Sequence, residues 1–383
     1  MAKKKRVWLG LAVSIVCLWL VFRSLDPAAL GVALAQANFL YVLPAVAVYF
    51  LGVWLRSVRW GLLLRPALRG GQAPGARRQQ TGAYRLPPPP NPRPLPPARV
   101  PSTGRLFRVL VIGFTVNNLL PARLGEVARA YLLWRGERIE PGATIATIVL
   151  ERVLDGLTLC AFAGVAALLV PFPADLQRAA WITAAGFLAV TLGLVGFLLL
   201  PGPFVGLALR VLRLLPERFA HLGERLVHSF VDGLAILRQG HALAAVLGLS
   251  LLAWLAEAGM YYVIMLGFPF PARPEAALLG ASAANFGAMI PSSPGYVGTF
   301  DLPLQIVLTE VFDVPLAQAT SYTLVLHAAL VVPVVLLGLC FLWQERGDSR
   351  HPAGGSLLAE LAALTSRRPV AERAEARSSS VDR

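Results

Sequence analysis

The chain has 383 residues, 56% of them hydrophobic and 15% charged, with a mean hydropathy of +0.63 and a formal net charge of +14. A water-soluble domain carries about a quarter charged residues, so these values exclude one and predict an integral membrane protein. No basic soluble segment accompanies the positive charge, which therefore reads as cytoplasmic loops near anionic headgroups and not as a nucleic-acid surface.

The start, MAKKKRVWLGLAVSIVCLWLVF, resembles a signal peptide, but no small-x-small cleavage site follows before Arg23 and Asp26. It is read as an uncleaved first span. Apolar runs of about 20 residues mark further spans, because a helix rises about 1.5 Å per residue across about 30 Å of hydrocarbon. Full spans are predicted near 7–23, 39–64, 142–170, 179–200, 242–267 and 320–343. Arg56 and Arg59 flank Trp54 and Trp60 near the end of the second span, where they are expected to snorkel as interfacial anchors.

Residues 66–105 contain PPPPNPRPLPP, have no apolar periodicity and read as a disordered cytoplasmic insert of polyproline II character, a spacer before a ligand for a partner. Two shorter apolar pieces, 107–120 and 276–290, each run into a polar, Pro/Gly-rich motif. The connection 204–240 alternates apolar and basic groups at helical spacing and suits amphipathic helices under the membrane. The tail 344–383 is polar and expected to be disordered.

Arginine and lysine counts in the short loops put both termini, the 66–105 insert and the 204–240 connection in the cytoplasm. Basic residues flank 107–120 on both sides, and both ends of 276–312 are basic-poor. The two short pieces are thus expected to be re-entrant elements entering from opposite faces; a count of about eight full spans is the alternative. The fold class is an all-α polytopic membrane protein: six full spans plus two broken elements, with a candidate inverted repeat. Its organisation is 1–65, the insert 66–105, a core 106–343 and the tail 344–383.

Four polar constellations stand inside the apolar regions. The first is NNLLPARLGEVARAY, with Asn117 and Asn118, the break at Pro121 and Gly125, and Arg123, Glu126 and Arg129 along one side of a helix. The second is IVLERVLDGLTL, where Glu151 and Asp155 share a face beside Arg152. A charge at mid-span costs about 2.5–3.5 kcal/mol even on the gentlest scale, so these need partners or a wet cavity. Arg123, Arg129 and Arg152 balance Glu126, Glu151 and Asp155, which makes the first motif the expected counter-charge of the second. The third is NFGAMIPSSPGYVGTFD, with Asn285, Ser292 and Ser293 and the breaks Pro291, Pro294, Gly295 and Gly298. Such backbone is tolerated in a membrane where it is buried in protein or lines a cavity. The fourth is Glu257, a lone acid in mid-span. All four also fit a buried ion-pair network that fixes helix register, with the Pro/Gly motifs as kinks.

Cys17, Cys160 and Cys340 stand singly without CxxC spacing, so neither a disulfide framework nor a metal site is indicated. No P-loop is present, and no cofactor is expected.

Arg59–Trp60, N-N-x-L-P-x-R-x-G-E at Asn117 to Glu126, E-R-x-x-D at Glu151 to Asp155 and P-S-S-P-G-x-x-G at Pro291 to Gly298 together resemble the lysylphosphatidylglycerol synthase transmembrane-region family. The resemblance runs over about 1–343, interrupted by the insert. It implies a flippase-like protein of a bacterial or archaeal cytoplasmic membrane, which moves an aminoacylated lipid made by a separate soluble domain. The polar tail leaves that domain absent from this chain, so a separate lipid-modifying enzyme is a candidate partner, as is a second copy of the chain. Some archaeal relatives are linked instead to sugar transfer from polyprenyl phosphate.

The favoured reading is a lipid translocator, likened to the bacterial members, whose three arginines attract an anionic headgroup. The competing reading is a membrane glycosyltransferase in which Glu126, Glu151 or Asp155 acts as a base or binds a metal. A non-transporting scaffold is the third.

Overall fold

A computed structural model describes residues 26–70, 100–120, 123–171, 240–290 and 292–347, with scattered positions in 15–21 and 173–193. The expected spans at 7–23 and 179–200, the segment 204–240, most of the insert and the tail lie wholly or largely outside the described residues, as do Pro121 and Pro291. Among the described residues the chain is all-helical. The helices are α1 (Pro27–Ala35), α2 (Val42–Gly70), α3 (Thr103–Leu119), α4 (Leu124–Glu137) and α5 (Pro141–Leu169). After them come α6 (Gly240–Met265), α7 (Pro274–Ala288), α8 (Asp301–Glu310) and α9 (Leu316–Gly347).

Four stretches are long and apolar enough to cross a membrane: Phe39–Arg65, Pro141–Leu169, His241–Met265 and Leu316–Glu345. They match four of the six full spans expected from the sequence. Their surfaces keep large apolar side chains outward, such as Leu43, Leu168 and Leu336, as a lipid-facing bundle must. The helix starts are written locally. Asp26 caps α1 through the Ala28 N–H, Ser102 caps α3 through the Arg105 N–H, and proline occupies the first turn of α5 and α7. Small residues let α2 and α6 approach closely: a methyl on Gly52 would meet the Ala253 carbonyl at 3.1 Å and the Ala256 Cβ at 3.3 Å.

The two short apolar pieces form helical hairpins. Arg105, at the start of α3, donates to Glu137 at the end of α4 (2.9 Å) and pairs with Glu345 near the end of α9. The α3–α4 hairpin therefore leaves and returns at the C-terminal end of α9. In the other hairpin, Leu279 of α7 packs with Val307 of α8. Gln305 of α8 donates to Thr320 near the N-terminus of α9 (2.6 Å). Phe270, just before α7, meets Tyr322 edge-on. α9 has 32 residues, about 48 Å at 1.5 Å per residue, so the hairpins approach from opposite ends of the bundle.

Their tips meet between α2, α5, α6 and α9. Arg123, at the tip of the first hairpin, donates to the Ala288 carbonyl at the end of α7 (2.6 Å), and its guanidinium lies 5.7 Å from the Tyr296 ring centroid. Arg123 (φ 51°) and Tyr296 (φ 57°) are both left-handed, a conformation costing a non-glycine residue about 1–3 kcal/mol. Strain at the two facing tips marks the place where the fold holds backbone against its preference.

Within the first hairpin, Gly125 packs on the Gly113 carbonyl and the Asn117 side chain closer than any methyl could fit. Its N–H, one of the unsatisfied donors at the start of α4, is capped from α3 by Asn117 Oδ1 at 2.6 Å. Gly125→Ala is expected to cost about 1–3 kcal/mol by forcing α3 and α4 apart. Thermal unfolding in detergent checks this, and an unchanged midpoint would mean that the hairpin yields there freely.

Candidate functional site

Three buried ion pairs surround the meeting point of the tips. Arg129 of α4 donates to Glu151 of α5 (2.7 Å), and both side chains are 2% exposed. The Arg129 guanidinium also stacks 3.9 Å from the Trp60 ring centroid, whose Nε1–H donates to Thr147. Arg59 of α2 donates to Asp155 (2.7 Å) and to Ser250 of α6 (2.8 Å), while Trp254 Nε1–H donates to the same Asp155 oxygen (3.0 Å). Arg56 donates to Glu257 of α6 (2.6 Å), whose other oxygen accepts from Asn285 of α7 (2.9 Å).

Two expectations from the sequence are corrected here. Arg56 and Arg59 are not interfacial anchors, and Glu257 is not a lone acid. Both guanidiniums are buried inside the bundle, Arg56 at 6% and Arg59 at 1% exposure, and turned onto Glu257 and Asp155 instead of reaching out to an interface. The charge balance is also redistributed. Arg59, not Arg123, is the close partner of Asp155, because Arg123 sits on the hairpin tip and points across to α7 and Tyr296.

Between the pairs lies a polar cavity of about 180 Å³. Asn117, Asn118, Arg123, Glu126, Arg152, Asp155, Glu257, Asn285 and Gly295, all singled out in the sequence, line it. Arg129 and Glu151 stand behind its wall. Ser292 accepts from Thr299 (3.0 Å), and neither Ser292 nor Ser293 is among the lining residues. Gly295 (φ 74°) and Gly298 (φ 83°) take the left-handed turns that shape the second tip, with Pro294 opening its 3₁₀ turn.

Two lining groups are incompletely satisfied. Arg152 has its nearest carboxylate, Asp155, at 3.8 Å, beyond hydrogen-bond range, with 39% of its side chain exposed and Nε unpartnered. Glu126 Oε2 is buried without a partner, and Glu126 Oε1 has only a 3.5 Å contact from Asn117. Arg123 is engaged by a neutral carbonyl. The cavity thus offers two arginines free of short carboxylate bonds, opposite one carboxylate with spare acceptor capacity.

Sequence reasoning missed Tyr49, Trp254, Tyr296 and His327, which also line the cavity. The aromatics look like ordinary span residues. His327 left a faint signal, as the histidine of an otherwise apolar span.

The sequence profile described as the lysylphosphatidylglycerol synthase TM region matches residues 7–338. The chain belongs to that family. It is a multi-pass membrane protein, and the motifs that carried the resemblance now converge: Arg59 on Asp155, Trp60 on Arg129, and the Gly295 turn against Asn118. Among curated relatives, "Glycosyltransferase AglD" of Haloferax volcanii is 24% identical over 350 residues, covering 83% of this chain and 51% of that protein. A "UPF0104 membrane protein" of Methanothermobacter thermautotrophicus is 25% identical over 311 residues, covering 76% of this chain and 81% of its own. The chain thus spans about half the length of the Haloferax relative. No solved structure matches it.

Proposed function

We propose that the protein is a lipid translocator whose cavity at the hairpin tips passes an anionic headgroup across a cytoplasmic membrane, with the arginine-rich end of the bundle on the cytoplasmic side. The observation that carries this is the pair of arginines, Arg123 and Arg152, lining a polar cavity without short carboxylate bonds. Guanidinium groups bind phosphate oxygens through paired hydrogen bonds. Glu126 stands ready for an amine on the same headgroup. The lipid tails need no polar path and stay in hydrocarbon.

The test is movement of fluorescent phosphatidylglycerol between leaflets of phosphatidylglycerol/phosphatidylethanolamine vesicles containing the purified protein. Movement well above protein-free vesicles supports the reading, and a rate equal to theirs sinks it.

The name of the Haloferax relative, a glycosyltransferase, favours a second reading, sugar transfer, for which we take a polyprenyl-phosphate donor. There Glu126 would be the base and the arginines would hold the donor phosphate. Sugar transfer by the same vesicles, with no movement of the fluorescent lipid, would establish it over the first.

A further inference from the structure

We propose that His327 and Asp301 form a proton-binding site that latches the tip of the second hairpin and couples its opening to proton movement. The coupling role rests on the translocator reading; the proton site itself does not.

The inference starts from a hydrogen-bond count. His327 Nδ1 lies 2.7 Å from Asp301 Oδ1, and Nε2 lies 2.8 Å from the Gly295 carbonyl oxygen. Both partners are acceptors in their ordinary states. A neutral imidazole has one N–H and cannot donate to both. The contacts are satisfied together when the ring is doubly protonated, or when the Asp301 carboxyl holds the second proton and donates to Nδ1. In either arrangement the latched pair carries one proton more than a carboxylate beside a neutral imidazole. Asp301 Oδ2 is already taken by the Gly298 N–H at 2.7 Å, so the shared proton lies on the Oδ1 side.

When that proton leaves to water, one N–H remains. The carboxylate competes for it better than a neutral carbonyl does, so it stays on Nδ1. The Nε2 lone pair then faces the lone pairs of the Gly295 oxygen, and the attraction that held the turn becomes a repulsion. Gly295 precedes Tyr296, whose ring carries Arg123, so release of Gly295 reaches a headgroup arginine through two contacts.

The position of the latch gives this a consequence. Gly295, His327 and Val331 line both the polar cavity and a second, mostly apolar cavity of about 300 Å³. The latch stands in the wall between them. Among the described residues, the groups facing the ring are Asp301 in contact and, across the polar cavity, Arg56, Arg123, Glu126, Arg152, Asp155 and Glu257, with Tyr49 and Tyr296. α9 brings no charged side chain to this stretch, and the apolar cavity adds none beyond Asp301. Arg56 and Glu257 neutralise each other at 2.6 Å, and of these charges Asp301 alone is in hydrogen-bond contact with the ring, which makes it the dominant one there.

The test uses the full chain, with its three cysteines replaced and Thr323→Cys, buried in the wall of the apolar cavity one turn from His327, as reporter, in phosphatidylglycerol/phosphatidylethanolamine vesicles. ¹⁵N-histidine spectra and the carboxyl infrared band, assigned with His327→Gln and Asp301→Asn, follow the proton over about pH 5 to 9. The pair is expected to lose one proton over the same interval in which labelling of the reporter, taken relative to a free thiol at the same pH so that thiolate formation cancels, rises about tenfold, as a minor open state becomes the major one. His327→Gln is expected to label fast at every pH, and Asp301→Asn slowly at every pH, because its amide can donate to Nδ1 as the protonated carboxyl does while the ring donates Nε2–H to Gly295. A pair that loses no proton in this range, or labelling flat with pH, overturns the proposal; the wild-type series decides this even where a variant does not fold. Lipid movement that follows the labelling curve supports the coupling. Movement indifferent to pH while the latch titrates overturns the coupling alone. A titrating latch with no lipid movement overturns the translocator reading, and the coupling with it, while the proton site stands.

Discussion

Arg59→Ala is expected to lower stability by about 3–5 kcal/mol, because it leaves a buried carboxylate without its cation. Arg59 is 1% exposed and holds Asp155 and Ser250 at once, joining α2, α5 and α6. After its removal Asp155 keeps only the Trp254 N–H and a guanidinium at 3.8 Å. Asp155→Asn in the Arg59→Ala background should recover part of the loss, since the neutral amide costs less to bury unpaired. Thermal unfolding of the two single variants and the double variant in detergent gives the coupling directly. Strictly additive losses would show that the pair does not act as one.

Arg152→Ala is expected to do the opposite: to leave stability within about 1 kcal/mol, because its contact to Asp155 is long and wet. Lipid movement should fall about 10- to 100-fold, the equivalent of losing a charged hydrogen bond worth about 1.5–3 kcal/mol. The contrast between two arginines that address the same aspartate is the informative part. Arg59 makes two short bonds with its guanidinium sealed; Arg152 makes none at short range and opens on the cavity. A wild-type rate in vesicles containing Arg152→Ala would remove the headgroup path. Arg152→Lys should recover little, because an ammonium cannot offer the planar pair of donors.

Four of the spans, the glycine turns and the charged segments were legible because they are local. A run of about 20 apolar residues has one use in a chain of this composition, and a polar, Pro/Gly-rich motif after a short apolar piece marks a break there. Glu151 and Asp155 announced buried partners by their cost alone. The hairpin shape of the two short pieces followed from charge on their flanks, and the Arg105–Glu137 pair is its structural counterpart.

Partner choice was not legible. Arg59 and Asp155 are 96 residues apart and Arg56 and Glu257 are 201 apart, and nothing in either neighbourhood names the other. Proximity in sequence offered Arg123 and Arg129 together as the counter-charges of Glu151 and Asp155; Arg129 does meet Glu151, yet the left-handed turn at Arg123 aims it at the opposing hairpin. His327 was passed over for the same reason: its two acceptors lie on α8 and on a turn 32 residues away. A chain's hydrophobic pattern decides what must be buried and where it must break, because those costs are paid residue by residue. Which charges meet, and which arginine is left facing a cavity, depends on the helices that pack together.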